Sequence, residues 1–502
     1  MNSPLDIIKD QTLTYHQQVF NLAKLSEDSI MPLNTDSATE KLIQKGIICT
    51  MFEGNAPYRP RYVIPDYAIL MKKGCDFLDL KAPQNIWEAT NALLILYKHV
   101  PSIDYFPVYL GNLDSLLNPF ISEEKEEEAR LAIRLFLQHI DRTLTGSFVH
   151  ANIGPEETLA GRIILEASEE LNCAIPNITL KYQEGITPDS FLNSCAETAL
   201  KTAKPSFANN RIYSRDFKEF GETGYAIASC YNGLAIGGGG FTLQRLVLSR
   251  LAEECCSPAE FLEKKLPEAS RLLLNQLDER IRFLTEESAF FKSNFLVKEG
   301  FIHQDRFTGM FGIVGLADAV NYLMHSERKK DRFGSSEAAD QLGVEIIETL
   351  NKLVHSHISP YIGCFGGRHV LHAQVGIDND KDITPGCRIP IGEEPEIMEH
   401  ILQSARYHNH FLSGIGDIFV FEKTYLDNPE ALSDIVKGAM KSDLRYFSAY
   451  SADSDVIRVT GYLVKRSEME KLEQGQAVLN QSTVLGLGMK REGCIFNRAL
   501  RK

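Results

Sequence analysis

Ten cysteines in 502 residues form no C-x-x-C pair. That spacing is missing throughout, so no zinc or iron–sulfur site of standard ligand pattern is expected and no resident metal is predicted. The one close pair, Cys255–Cys256, is adjacent, and adjacent residues on a helix do not converge on one ion. Basic residues are also short: 53 Lys and Arg stand against 67 Asp and Glu, for a net charge of −14. A surface of that sign excludes general binding to nucleic acid or an anionic membrane, but not a local basic pocket for a small anion. No apolar stretch reaches the length of a membrane span. Met1–Asp6 shows no basic segment leading into an apolar run, so no secretory signal is read there. These absences predict a soluble, cytoplasmic protein without a membrane partner. There is no fixed-period repeat and no low-complexity linker, which favours one large folded unit.

What is present is ample material for a core, with 44% hydrophobic residues. The first hundred residues read as largely helical. Ile86 to His99 places Ile86, Ala89, Ala92, Leu93, Leu96 and Tyr97 on one helical face. Phe106–Leu110 reads as a short strand. From Gly146 onward strands alternate with helices: strands at Gly146–Asn152, Asn177–Tyr182, Ser206–Asn210 and Tyr225–Cys230, then helices at Arg245–Glu254 and Pro258–Glu286. Met310–Leu316 and a tract within Tyr361–Asp378 continue the strands. Such alternation argues for an α/β sheet or barrel.

Two stretches carry chemistry. Near the end, Val456 to Val464 is a run of β-formers interrupted by Gly461, within Arg458-Val459-Thr460-Gly461-Tyr462. A glycine there ordinarily marks a bulge, a bend or a close backbone approach. Mid-chain, the apolar run Tyr225–Ala228 suits a buried strand that delivers Cys230 to a loop. Alone, such a cysteine reads as a small buried hydrophobe. Together, and in this order, the stretches resemble those of glycyl radical enzymes. R-V-T-G-Y resembles that family's C-terminal R-V-x-G-Y, and Y-A-I-A-S-C resembles its strand and cysteine finger. Over the whole chain the resemblance is to the YjjI family.

The resemblance implies a ten-stranded α/β barrel of two antiparallel five-stranded half-barrels with surrounding helices. Residues 1–443 would form the barrel and 444–502 a C-terminal glycyl radical domain. It implies a radical stored on Gly461 that turns Cys230 into a thiyl, which takes hydrogen from a small organic substrate. A separate cognate radical-SAM activase would carry the iron–sulfur cluster and use S-adenosylmethionine. A homodimer is one assembly to test. Ser229 stands where pyruvate formate-lyase has a second cysteine, and Asn232 where the eliminating lyases have a glutamate base. Gly237–Leu246 and Gly312–Ala319 resemble tracts of anaerobic ribonucleotide reductases, although the four-cysteine zinc set of those enzymes is absent. A nucleotide reductase and a non-catalytic radical-domain or scaffold protein are therefore the alternatives.

The four glycines Gly237–Gly240 are followed by neither Lys-Ser/Thr nor a Rossmann layout, and suit close backbone approach, to a substrate or to the radical domain. Further site candidates are Asn209, beside the strand before the finger, and Asn232 just beyond Cys230. Cys364, His369 and His372 share one glycine-rich tract. On a strand the two histidines face opposite sides, so each reads as a single acid, base or donor, or as a satisfied core histidine. Cys387 and Glu393 lie in the turn-rich loop Thr384–Pro395, where a thiol and a carboxylate could assist a reduction.

Overall fold

The computed structural model describes residues 3–483, apart from 52, 104, 147, 374–382, 460 and 482. In chain order its strands are β1 (Ile48–Cys49), β2 (Tyr62–Ile64), β3 (His150–Ile153), β4 (Asn177–Tyr182), β5 (Ser206–Asn209), β6 (Tyr225–Ala228), β7 (Asn232–Ala235), β8 (Gly238–Val247), β9 (Phe307–Val314), β10 (Val370–Ala373), β11 (Asp417–Phe421), β12 (Tyr446–Ser451), β13 (Val456–Arg458) and β14 (Leu463–Lys465).

Ten of these form two five-stranded sheets. In the first, β8, β9 and β10 run parallel, and β1 and β2 share the other edge of β8, both antiparallel to it. In the second the order is β11-β12-β5-β4-β3: β3, β4 and β5 are parallel, and β12 meets β5 antiparallel. Nearly every residue of these strands is buried, as expected of parallel sheets covered on both faces. The helix Leu266–Arg282 packs on β8 and β9, and Glu337–Ser356 on β10. Asp189–Thr202 covers β12 and is flanked by Leu159–Leu171 and Pro429–Lys441.

Two further pairs belong to neither sheet. β6 and β7 form a hairpin touching β3 of one sheet and β8 of the other. β13 and β14 form a second hairpin that pairs only with itself.

Several sequence expectations shift. Arg245–Glu254 is expected to be helical. Instead β8 runs on to Val247, because Arg245, Leu246 and Val247 pair with Gly312, Ile313 and Val314, and only Leu248–Ala252 is helical. Phe106–Leu110 is not a strand, although Leu110 N–H donates to His150 O. The tract within Tyr361–Asp378 contributes β10 alone, and its last residues lie outside the described ones. The glycine run is used for backbone approach within the sheet. A Cβ at Gly239 would collide with the Tyr62 carbonyl, and one at Gly238 with that of Arg306. β12, on the C-terminal side of residue 443, pairs with β11 and β5 of the second sheet.

Candidate active site

The β6–β7 hairpin is built to present its tip. Tyr225–Ala228 is apolar and fully buried, and Ala228 pairs with Asn232, leaving Ser229, Cys230 and Tyr231 as the turn. Ser229 adopts φ +58°, the left-handed conformation a tight turn requires. The tip is pinned from several sides. Ser229 N–H donates to Val108 O at 3.0 Å, and Tyr446 O–H on β12 donates to Cys230 O at 3.1 Å. Tyr231 stacks on His372 of β10 with ring centres 5.7 Å apart, and its hydroxyl donates to Ala373 O. The Asn232 amide N–H closes the hairpin on Ala228 O at 3.1 Å, while Asn232 Oδ1 is buried without a partner.

Gly461 lies in the loop between β13 and β14, where Val459 N–H donates to Tyr462 O. It is buried, and its backbone is not left-handed. Its need for glycine is spatial: a Cβ there would overlap both Cβ and Sγ of Cys230 and stand 3.3 Å from Cys230 Cα. One Cα–H bond of Gly461 therefore points straight at the Cys230 thiol.

The electrostatics suit a hydrogen-atom relay. Burial pushes the Cys230 thiol up to about 11, although the Ser229 hydroxyl and the guanidiniums of Arg388, Arg458 and Arg61 pull the other way. At neutral pH the group is S–H, not thiolate. Beneath the tip, burial holds His150 down at about 3, so its ring is neutral. Nδ1–H then donates to Ser229 O, and Nε2 accepts from the Thr179 hydroxyl at 2.7 Å. Arg458 Nη2 donates to Asn177 Oδ1 and Ala203 O, which ties the radical hairpin to the same layer.

The other candidates divide. Asn232 and His372 stand at the tip with Cys230. Asn209 spends its amide on Met440 O and Leu444 O, which fixes the approach to β12. His369 turns to the helical layer, where Asp278 accepts from His369 Nε2 at 2.8 Å and His357 Nε2 at 2.7 Å. These three are the one group among the described residues whose ligand atoms converge, all within 4.8 Å. Hydrogen bonding alone accounts for the convergence, and the second nitrogen of His369 is buried without the acceptor a metal-bound imidazole ordinarily has. Cys364 donates to Phe307 O, and burial raises its thiol. Cys387 sits in an apolar cluster with Phe333, Ile389 and Tyr407. Glu393 is exposed in an ion pair with Arg332. Sequence reading missed Tyr446, His150 and Arg61 as neighbours of the tip. They arrive singly from distant strands, and no local pattern marks them.

The chain matches the family model described as "Glycyl radical enzyme YjjI-like" over residues 13–501. The chain belongs to the YjjI-like glycyl radical enzyme family. Within reach of that family it is 39% identical to the Escherichia coli protein YjjI over 495 residues, covering 99% of this chain and 95% of that one. A Haemophilus influenzae protein is 44% identical over 503 residues, covering 99% and 97%. Among solved structures, the anaerobic ribonucleotide reductase of Thermotoga maritima with glycerol in its active site aligns with TM-score 0.68 at 12% identity, over 94% of this chain and 91% of that one. Hydroxyproline dehydratase from Clostridioides difficile aligns with TM-score 0.67 at 13% identity, over 97% and 88%. At such identities the likeness is one of fold: this member of the family has the α/β barrel of glycyl radical enzymes.

Proposed function

We propose that this chain stores a radical on Gly461 and spends it through Cys230. A separate activase, using S-adenosylmethionine and an iron–sulfur cluster of its own, removes one hydrogen atom from Gly461 Cα. The Gly461 radical then takes the hydrogen atom of the Cys230 S–H, restoring the Cα–H bond and leaving a thiyl. The thiyl takes a hydrogen atom from a C–H bond of a small organic substrate and becomes S–H again, and the substrate radical rearranges, eliminates or cleaves. Return of the hydrogen atom from Cys230 to the product radical, and then from Gly461 to Cys230, restores the stored state. A thiolate could not take part, since it carries no hydrogen atom, so the raised thiol supports this relay. A buried tip that excludes water also protects radical intermediates from side reactions.

The observation that carries the reading is the direct packing of Gly461 Cα against Cys230 Sγ. It favours a catalytic role over a scaffold, because a radical domain serving another chain needs no thiol there. Anaerobic activation followed by electron paramagnetic resonance tests it. A doublet split by one Cα hydrogen is expected in the wild type and in Cys230→Ala, and none in Gly461→Ala. A competent activase that leaves the wild type silent would overturn the proposal.

A further inference from the structure

Among the described residues, buried guanidiniums outnumber carboxylates around the finger tip. Arg61, Arg388 and Arg458 are all buried. Arg388 Cζ stands 5.9 Å from the Tyr231 ring centre, next to Cys230 in sequence. Arg458 is three residues before Gly461, at the end of β13. Arg61 lies over Tyr62 at 5.1 Å, and the Tyr62 hydroxyl reaches towards Ser229.

The carboxylates available to these groups are few. Glu53 pairs with Arg61 at 3.0 Å but also with Arg280 at 3.2 Å, and it accepts from Thr242 and Leu243 as well. Asp417 is held by His400 at 2.7 Å and reaches Arg388 only at 3.9 Å. Arg458 has no carboxylate among the described residues. Its contacts, Asn177, Ala203 and the Tyr446 hydroxyl, are neutral, and its Nε and Nη1 are buried with no close acceptor among the described residues. Among the described residues, Arg61, Arg388 and Arg458 thus have only Glu53, which Arg280 also uses, and Asp417, which His400 also uses. A guanidinium cannot shed its proton to escape burial, and an uncompensated buried charge costs several kcal/mol. The guanidiniums of Arg388, Arg458 and Arg61 all act on the Cys230 thiol. The whole chain is acidic, so this cation cluster is a local device and not a general property of the surface.

A second orphan lies beside the first. Asn232 Oδ1 is an acceptor with no donor among the described residues, two residues from Cys230, and its orientation is fixed because the amide N–H is already used on Ala228 O.

We infer that the molecule from which Cys230 takes hydrogen is an anion, carrying a carboxylate or phosphate that the forks of Arg388 and Arg458 hold, and an O–H or N–H group that donates to Asn232 Oδ1. The planar fork of arginine matches either oxyanion through paired hydrogen bonds. The anion supplies the missing countercharge, and the second group fixes which carbon faces the thiol. This rests on the reading of Cys230 as the hydrogen-abstracting residue.

Binding to the unactivated protein tests the inference without any turnover. Thermal melts and calorimetry would compare lactate (carboxylate with hydroxyl), acetate (carboxylate alone), glycerol 3-phosphate (phosphate with hydroxyls) and neutral glycerol. Saturable stabilisation by lactate or glycerol 3-phosphate, absent with glycerol, is expected, and whichever of the two binds names the oxyanion. Arg388→Met and Arg458→Met should each weaken that binding about tenfold or more. Should Arg458→Met fail to fold, Arg388→Met carries the test alone. Asn232→Leu should reduce lactate to the affinity of acetate. Anions no better than glycerol, or anion binding undiminished in the arginine variants, would sink the inference. Its failure is separable from that of the radical reading. A protein that yields the Gly461 doublet but shows no anion preference loses only this inference, and one that binds the anion but yields no doublet loses only the relay.

Discussion

Asn152 and Ile227 exchange two hydrogen bonds: Ile227 N–H donates to Asn152 Oδ1, and Asn152 Nδ2 donates to Ile227 O, each at 2.8 Å. One side chain of β3 thereby does for the finger what a neighbouring strand would do. β6 pairs with β7 along one edge only, and the carbonyl of Tyr225 on the same strand is met by Lys181 Nζ at 2.7 Å. Asn152→Leu would strand a buried donor and a buried acceptor together. A loss of about 2–4 kcal/mol in urea unfolding is expected, with a larger fall in turnover than in radical yield, because the tip and not Gly461 is displaced. Unchanged stability would show that the finger finds other partners.

The overlap between position 461 and Cys230 predicts a coupling readable without chemistry. Gly461→Ala should destabilise by about 1–3 kcal/mol through overpacking. Cys230→Gly removes the opposing Cβ and Sγ, so the double variant should recover most of that loss. A double-mutant cycle that closes with no interaction energy would place the two residues apart.

A thiol held at about 11 should resist alkylation. Peptide-level mass spectrometry with a neutral alkylating reagent can use exposed Cys256 as an internal standard. Cys230 labelling is expected to stay low from pH 7 to pH 9 and to climb only towards pH 11. The linked effect on stability has a fixed sign. The native thiol binds its proton more tightly than the unfolded one, near 9. Its contribution is fully present below pH 9 and is lost as pH rises to about 11. Early labelling that levels off near pH 8 would mean a thiolate at the tip, and the relay would lose its hydrogen donor.

His150 gives the opposite limb. Its native value is depressed to about 3 by burial, so between pH 6.5 and 3 the unfolded chain takes up a proton that the folded chain refuses. Stability should fall across that window by roughly 1.4 kcal/mol per pH unit on its account. His150→Gln should flatten this part of the acid limb relative to the wild type. Equal slopes would show that the ring is already protonated against the Ser229 carbonyl.

How far the sequence carried these conclusions depended on whether the information was contiguous. R-V-T-G-Y and Y-A-I-A-S-C are each unbroken segments, so Gly461 and Cys230, which the structure packs together, could be singled out from sequence, as could the helix Ile86–Tyr97 from its spacing. The reason Gly461 must be glycine was not legible, because its constraint is Cys230, 231 positions earlier. Asn209 and Glu393 had the right chemistry for a site, but one is consumed by backbone carbonyls and the other by a surface ion pair. Nothing local separates such uses from substrate binding. Arg245–Val247 misled for a related reason: a helix-like pattern was overruled by pairing with β9, over sixty residues away. Arg388 and Arg458 were visible as letters within quoted stretches. Their meaning came only from counting the carboxylates around them.

The pairing of β13 with β14 alone has a mechanical consequence. Lifting Gly461 out of the interior breaks no ladder bond of either five-stranded sheet. Among the described residues, exposure costs side-chain packing, the Phe148–Tyr462 ring contact and the bonds of Arg458 to neutral partners. Arg458, at the root of this loop, has no carboxylate partner among the described residues, and a loop held by neutral bonds is easier to withdraw than a salt-bridged one would be. Filling the tip with a countercharge would then hold it shut, so that occupancy of the interior and access to Gly461 oppose each other.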